Sequence, residues 1–307
     1  MGTPASWSPG SYPVPYALDP TVTLSSDGAT SPLRKIARVQ QIVGKEFLAV
    51  TSTGVTATRQ LEAAEEGDGA PTLTQPAIPT SRVSVFVPFS MEVEADWNQL
   101  LAELSFMIAD AKDVEEATSF LSGNGNAPQP AGLLGTAVAS LSTAVAVTSI
   151  STAVVYLADV SKLEAAVPPR FRSQSQVMMS TGMAQFLKRC QSVVGQAALT
   201  GPLDGRMDLM GRGAWVHTGM DDTVTFFDSA SAVEVNTGTA TSGKKIMVQG
   251  DFKQFAIIDR IGLSIELVPV VFGTANNYPT GQRGVFAMWR SGSGVLAENA
   301  FRYLKVR

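Results

Sequence analysis

The chain has 307 residues, of which 45% are apolar and 16% are charged, and its formal net charge is −4. This length is enough for about two domains with a real core, and so few charges suggest a surface that partners cover in an assembly. Without a dense basic segment, tight binding of nucleic acid through many phosphates is excluded.

Residues 1 to 35 predict an extended N-terminal arm. Prolines recur along it, at Pro4, Pro9, Pro13, Pro15, Pro20 and Pro32. No helix tolerates this spacing, and large apolar groups are too few to build a core. The segment is either a disordered tail or an arm that lies on another surface. In the second case the anchors are its isolated aromatic residues, Trp7, Tyr12 and Tyr16.

Residues 36 to 90 predict strands that form a long two-stranded hairpin. Apolar and polar residues alternate in three stretches, Phe47–Thr53, Val55–Thr58 and Val83–Phe89. An isolated hairpin is marginally stable in water, so a ribbon without a core of its own should lie on another surface. An ordinary edge hairpin or a flexible loop is the alternative.

The tip of this hairpin is polar and rich in glycine and glutamate. Five charged residues at or near it are candidate contacts between subunits: Arg59, Glu62, Glu65, Glu66 and Arg82. The glutamates form either a solvated loop tip or ion pairs with the two arginines of a neighbouring subunit. Each exposed ion pair of this kind contributes little by itself.

Residues 91 to 131 predict a long helix that ends in a glycine-rich turn. Asp96 is the predicted N-cap, and Gly123, with Pro128 shortly after it, ends the helix. Apolar positions follow three-and-four spacing at Trp97, Leu100, Leu104, Met107, Ala111, Val114, Thr118 and Leu121. Acidic residues fall on the other side and predict a solvated flank, at Glu103, Asp110, Asp113 and Glu116.

Residues 132 to 247 predict a mixed helical and stranded segment. Residues 153–163 predict a short helix stopped by Pro168, Gln176–Ser180 predicts a strand, and Thr181–Cys190 predicts a second helix. From residue 248 onward, two strongly alternating stretches predict strands that pack beside the long helix. The fold class is therefore α+β.

Several passages, in chain order, resemble the major capsid proteins of tailed phages with the HK-97-type fold. The helix exit, FLSGNGNAPQPAGLL from Phe120, is similar to the passage that leaves the long spine helix of that family. Val83–Ser90 resembles the strand that enters this helix. Val248–Leu267 resembles the family's strands with a Gly-Asp-Phe motif, and Val285–Leu304 resembles its chain ending.

The resemblance implies six parts in the chain. They are an N-terminal arm (1–35), the extended E-loop hairpin (36–90), the spine helix of a peripheral P-domain (91–131), an axial A-domain (132–247), the P-domain strands (248–290) and a C-terminal strand that returns to the A-domain (291–307).

The resemblance also implies a function. A protein of this family self-assembles, as hexamers and pentamers, into the icosahedral shell of the virion around double-stranded phage DNA, after assembly in the host cytoplasm. Scaffold, portal and decoration proteins are expected partners, DNA contact is expected to be weak and non-specific, and no membrane is involved. An encapsulin-like nanocompartment with protein cargo is the alternative, although its shells begin with a short helix rather than a proline-rich arm.

The sequence favours no catalytic, cofactor or metal site. The single cysteine, Cys190, and the single histidine, His217, exclude an intrachain disulfide and a zinc cluster. Gly123–Gly125 follows a helix rather than a strand, so a nucleotide loop is not expected. Asp221–Asp222 is expected to form a solvated turn. The imidazole of His217 is expected to be either packed in the core or at the surface. An enzyme with an uncommon site is the remaining alternative.

Some members of the resembled family crosslink their shells by an isopeptide bond between an E-loop lysine and an asparagine of a neighbour. The span from Glu46 to Ala111 contains no lysine, so the reaction has no nucleophile here. Counting back from the chain ending, the asparagine and its assisting glutamate fall near Gly281 and Met288. We therefore expect non-covalent overlaps of the arm and the E-loop to hold the shell.

Overall fold

The computed structural model describes residues 23–62, 67–92, 100–150, 154–189, 199–201, 206–209, 211–220, 225–226, 243–274 and 278–307. The helices in this part of the chain are α1 (Leu33–Ile36), α2 (Leu100–Ser122), α3 (Leu157–Ala166), α4 (Pro169–Arg172) and α5 (Thr181–Arg189). Short 3₁₀ turns lie at Thr143–Val145, Phe252–Gln254 and Glu298–Ala300.

The strands in the same ranges are β1 (Arg38–Gln41), β2 (Glu46–Leu48), β3 (Thr51–Ser52), β4 (Leu73–Thr74), β5 (Ala77–Pro79), β6 (Ser81–Ser90), β7 (Ala146–Thr148), β8 (Val154–Val155), β9 (Gln176–Met179), β10 (Leu199–Thr200), β11 (Met207–Leu209), β12 (Arg212–Val216), β13 (Thr225–Phe226), β14 (Lys245–Gly250), β15 (Phe255–Val268), β16 (Gln282–Val295) and β17 (Phe301–Lys305). Helices and strands alternate irregularly, as in the predicted α+β class.

The long helix α2 packs on a sheet in which the described strands follow the order β1–β15–β16–β6. Strand β1 runs parallel to β15, and the other neighbours are antiparallel. Leu100, Leu104 and Ile108 of the helix form one apolar cluster with Val285 and Ala287 of β16. Two strands beside the long helix, as predicted, are confirmed in β15 and β16.

The buried face of α2 differs in part from the predicted one. Ala111 and Thr118 are exposed, and Ile108, Ala117 and Phe120 are buried in their place. The reason is that α2 changes partners along its length. Its first turns face the four-stranded sheet, whereas its last turns enter a second apolar cluster beneath another sheet. The predicted N-cap Asp96 and Trp97 lie outside the described residues.

The glycine-rich segment after α2 folds back on the end of the helix. The N–H groups of Leu133 and Leu134 donate to the carbonyls of Phe120 and Leu121 at 2.8 and 2.7 Å, which satisfies helix-end acceptors. At Gly135 a Cβ would collide with a backbone carbonyl oxygen of this turn, so only glycine fits there. The predicted stop of the helix is confirmed.

A second sheet contains the described strands in the order β10–β11–β12–β9–β14–β17–β7. Helices α3 and α5 cover one of its faces, and the apolar core there includes Leu163 and Leu187. The strand predicted at 176 and the helix predicted at 181 are present. The short helix begins at Leu157 rather than at residue 153, because Val154 and Val155 pair with β13 as strand β8. Strand β14 joins this sheet and spans residue 248, where the sequence suggested a domain boundary.

The hairpin between β1 and β6 is narrow and largely exposed. Its stem consists of the pairs β2–β5 and β3–β4, and the hydroxyls of Thr51 and Thr74 lie 2.6 Å apart across it. The strand predicted at Val55–Thr58 is wrong, because those residues are exposed and carry no ladder in the described part of the hairpin. Alternation alone does not form a strand where no partner strand is in register.

Candidate assembly surfaces

The arm joins the body of the subunit through one guanidinium that two carboxylates hold. Arg34 of α1 donates to both oxygens of Glu116 on α2, at 2.6 and 2.8 Å, and to both oxygens of Asp259 on β15, at 2.8 and 3.0 Å. Its guanidinium also lies over the ring of Phe120, at 5.6 Å. Two bidentate pairs fix orientation as well as charge, so the arm exit is held against α2 and β15 together.

The prediction that Glu116 belongs to a solvated flank is wrong. Its side chain is buried, and Lys112 one turn earlier approaches it to 3.2 Å in addition to Arg34. Burial alone would lower the pKa of Arg34, but the hydrogen bonds to Asp259 and Glu116 outweigh this and raise it above its ordinary value. The arginine therefore stays charged, and the carboxylate is buried because cations accompany it.

A second contact holds the arm four residues before Arg34. Thr30 donates its N–H to Oγ1 of Thr218 at 3.0 Å, and its carbonyl accepts the N–H of Thr218 at 3.1 Å. Thr218 lies in the turn that follows β12. The arm thus contacts the seven-stranded sheet through Thr30 and the four-stranded sheet through Arg34.

His217, next to that contact, is completely buried, as the packed interpretation of the sequence expects. Its Nδ1 accepts the N–H of Gly219 at 3.0 Å, which leaves the proton of the neutral ring on Nε2. Nε2 makes no hydrogen bond of normal geometry among the described residues, although the backbone of Ala117 lies close enough to act on it. Burial lowers the pKa of His217 to about 4, and the nearby backbone carbonyl of Ala117 offsets only part of this effect.

One face of the four-stranded sheet, the face opposite α2, carries two arginines side by side. Arg82 on β6 is the register partner of Arg290 on β16, and Phe86 is the partner of Phe286 on the same strands. Because side chains two and four residues apart share a face, these four residues form one surface, which we call the open face. Phe86 is 46% exposed, and like charges opposite each other on neighbouring strands repel.

A cavity of about 460 Å³ lies where the hairpin meets the body. Pro76 of the hairpin and Val138 and Leu296 of the body supply apolar walls. Ser140 and Glu298 add polar groups, and the buried Oγ of Ser140 has no hydrogen-bond partner within the described ranges. The walls are mixed, since Thr51, Thr74 and Gln75 of the hairpin are polar as well, so the cavity can hold a group that is partly apolar and carries a hydrogen-bond donor.

The residues that the sequence singled out fall into two groups. Five lie outside the described residues, namely Trp7, Tyr12, Tyr16, Glu65 and Glu66. The others, Arg59, Glu62 and Arg82, are exposed, and no ion pair between described residues involves any of them. The structure does not bring these three together within one subunit.

Sequence reasoning missed the residues that fix the arm and complete the open face. Arg34 sits in a stretch that reads as an arm, and its partner Asp259 lies 225 residues away. Arg290 could have been predicted from the sequence, because matching the alternation of β6 and β16 places it on the same face as Arg82.

Within the described ranges, no group of three or more histidine, cysteine, aspartate or glutamate residues is arranged to hold a metal ion. No helix there has the length and apolar character needed to cross a membrane. Asp221 and Asp222 lie outside these ranges. Gly123–Gly125 was considered above as a nucleotide loop. The N–H of Gly125 is already used within the turn, since it donates to the carbonyl of Pro130.

A long helix on a long-stranded sheet, an extended hairpin and a second mixed sheet define an HK-97-type capsid fold, as predicted. The sequence profile of the phage capsid family matches residues 10–306, so the chain belongs to the phage capsid family. It is a structural protein of the phage shell, located in the capsid of the virion, and it assembles with copies of itself.

Solved capsid structures have the same fold. The capsid of an empty GTA particle is similar over 95% of this chain and 95% of that chain, with a TM-score of 0.70 and 20% identity. A chain from Gordonia phage Cozz is similar over 96% and 91%, with a TM-score of 0.62 and 13% identity. One from Mycobacterium phage Ogopogo is similar over 96% and 97%, with a TM-score of 0.57 and 17% identity. No curated protein sequence matches the chain.

Proposed function

We propose that this chain is the major subunit of an icosahedral shell that encloses double-stranded phage DNA and assembles in the host cytoplasm. Scaffold, portal and decoration proteins are its proposed partners, and its contact with DNA is weak and non-specific. The observation that carries the proposal is the exposed hairpin, whose apolar side chains remain in water in the isolated subunit. These are Leu48, Val50, Val55, Leu61 and Leu73. A ribbon of this kind needs a neighbour to cover it.

The hairpin tip of one subunit is proposed to bind the open face of the next. The tip carries Glu62 and Asp68, both exposed, and the open face offers Arg82 beside Arg290. Repulsion between the two arginines is relieved when carboxylates approach them. One exposed pair contributes about 0.2–1 kcal/mol, but every subunit of a closed shell repeats the contact.

The aromatic residues of the arm are proposed to anchor on a neighbour through the cavity at the hairpin base. Trp7, Tyr12 and Tyr16 each combine an apolar ring with a donor. Pro76 and Leu296 supply apolar wall, and Ser140 and Glu298 supply oxygen atoms for such a donor. Aromatic anchors in pockets carry much of the energy in interfaces of this kind.

The shell is proposed to be non-covalent, without catalysis and without isopeptide bonds. Its stability then rests on many small overlaps. Mature particles should dissolve into single chains on a denaturing gel, and a ladder of crosslinked chains there would contradict the proposal.

A charge exchange tests the hairpin contact, with the yield of shells measured by electron microscopy. Arg82→Glu should lower the yield of shells about tenfold or more, and adding Glu62→Arg and Asp68→Arg to the same chain should restore most of it. Lys253→Glu, which makes the same charge change at an exposed residue outside both the hairpin and the open face, is the matched control and should assemble normally. Shells that form equally well with Arg82→Glu would contradict the contact.

The cargo distinguishes the proposed phage shell from a protein-filled nanocompartment. Electron microscopy of the protein expressed alone, and then with its neighbouring genes, should show closed shells tens of nanometres across. Nuclease-protected double-stranded DNA inside the second preparation supports the phage shell. Protein cargo without DNA would overturn it, and a monodisperse monomer in both preparations would overturn assembly itself.

A further inference from the structure

Three parts of the subunit meet around His217. The turn Val216–Met220 consists of the last residue of β12 and the four residues after it. The helix α2 contributes Ala117 and Leu121, and the arm reaches the turn at Thr30. The packing is close, since a Cβ added at Gly219 would lie 3.2 Å from both the imidazole and the side chain of Leu121. The only histidine of the chain therefore lies at the joint between arm, helix and sheet.

A second proton on this imidazole would remove an interaction and add a cost. Nδ1 now accepts the N–H of Gly219, and once protonated it would present a donor to that donor. Nε2 has the backbone of Ala117 near it but makes no hydrogen bond of normal geometry among the described residues. A buried cation without a charged partner is strongly unfavourable, so the protonated ring is stable only where water reaches it.

No described carboxylate is hydrogen-bonded to His217 or paired with it. The helix α2 carries four charged residues directly before Ala117, which are Lys112, Asp113, Glu115 and Glu116, and the arm carries Asp27, Arg34 and Lys35 around Thr30. Of these, Glu116 is already shared between Arg34 and Lys112. The next charges along the turn, Asp221 and Asp222, lie outside the described residues.

We propose that protonation of His217 in mildly acidic solution detaches the turn Val216–Met220 from α2 and thereby releases the arm at Thr30, so that this joint is a pH-sensitive latch of the subunit. Arg34 keeps holding the arm exit, so the change is local. Its effect on the shell is to loosen the arm before the body of the subunit unfolds.

The direction and size of the pH effect on the opening of this joint follow from the linkage between proton binding and opening. His217 has a pKa of about 4 in the closed joint and about 6.5 when exposed to water, so the open joint binds more protons between these values. The latch is fully closed above pH 6.5 and opens as the pH falls. At pH 5 the equilibrium constant for opening should be about 30-fold higher than at neutral pH. This pH lies above the ordinary titration range of carboxyl groups.

Hydrogen–deuterium exchange of full-length assembled particles, corrected for intrinsic rates, tests the latch. Between pH 7.5 and pH 5, amides of residues 216–220 and 28–31 should lose protection by about 30-fold. His217→Asn keeps an oxygen for the Gly219 N–H and cannot be protonated, so its protection should not change. Amides of α5 (Thr181–Arg189) are the internal control and should stay protected in both proteins.

Equal protection of the wild type at both pH values, or an equal loss in His217→Asn, would overturn the proposal. A second measurement does not depend on that variant folding. Exchange of the imidazole C2 hydrogen, read by mass spectrometry, reports the pKa of the single histidine in the intact particle. A value well below 6.5 supports the latch, and a value at or above 6.5 overturns it.

Discussion

The two large sheets of this subunit differ in how completely the chain covers them. In the seven-stranded sheet neighbouring residues enter different cores, with Val177 and Met179 on one side and Met178 on the other. In the four-stranded sheet β6 alternates between half-buried residues toward α2 and exposed residues on the open face, where Phe86 lies beside Phe286. One sheet is closed by its own chain on both faces. On the face of the other sheet opposite α2, Ile78 of β5 covers only the end at Ala256 and Ile258, and the part with Arg82 and Phe86 stays open.

This difference separates folding from assembly. A sheet with both faces filled has its hydrophobic energy realised within the subunit. The open face of the other sheet and the exposed hairpin leave apolar surface unburied in the isolated subunit. That surface can still be buried in contacts with neighbouring subunits. We therefore expect substitutions in the seven-stranded region to affect the stability of the subunit, and those on the open face and the hairpin to affect the shell.

The largest expected effect is in the closed region. Leu187→Ala should lower the free energy of unfolding by about 3 kcal/mol, because Leu187 is fully buried between α5 and the sheet. The matched change Leu267→Ala, at a residue 45% exposed on β15, should cost less than about 1 kcal/mol. Urea denaturation of the subunit, followed by circular dichroism, measures both. Equal losses would erase the distinction between the two sheets.

The next effect is at the junction of the arm. Arg34→Met keeps much of the apolar stem but leaves Glu116 and Asp259 without their shared cation, so we expect a loss of about 2–3 kcal/mol. Limited proteolysis should then cut residues 23–32 faster. Adding Glu116→Gln should recover part of the stability, because the buried charge is gone. No recovery in the double variant would mean that the ion pair is not the cause.

A pH titration probes the joint between the two regions. The folded pKa of His217, about 4, lies below the unfolded value of about 6.5, so the unfolded state binds more protons as the pH falls. This contribution to stability is complete above pH 6.5 and is lost progressively below it, by about 2 kcal/mol between pH 7 and pH 5. In His217→Asn the same denaturation series should be flatter by that amount.

The smallest effect on the subunit is expected on the open face. Phe86→Thr keeps a strand-forming residue and should change the free energy of unfolding by only about 0.5 kcal/mol. The yield of shells should nevertheless fall, because the substitution removes the apolar part of a repeated contact. Sedimentation of assembled particles at equal protein concentration measures this. Normal assembly would place the hairpin contact elsewhere on the subunit.

The sequence alone predicted those features that depend on neighbours along the chain. The end of α2 at its glycine turn, the alternation of β6, and the elements now seen as β9 and α5 follow from local pattern and turn chemistry. The HK-97-type resemblance came from short passages in the right order, which is why the fold could be predicted although the three similar solved capsids are only 13–20% identical.

Only the tertiary structure decided the features that depend on distant partners. Glu116 looks solvated on a helical wheel, and it is buried because Arg34, 82 residues earlier, brings it a cation. Val55–Thr58 alternates like a strand, but no described strand lies in register to accept its hydrogen bonds. His217 has a lowered pKa because the arm, α2 and the turn after β12 enclose it. Local pattern fixes which elements form, whereas burial and charge compensation are properties of residues brought together by the fold.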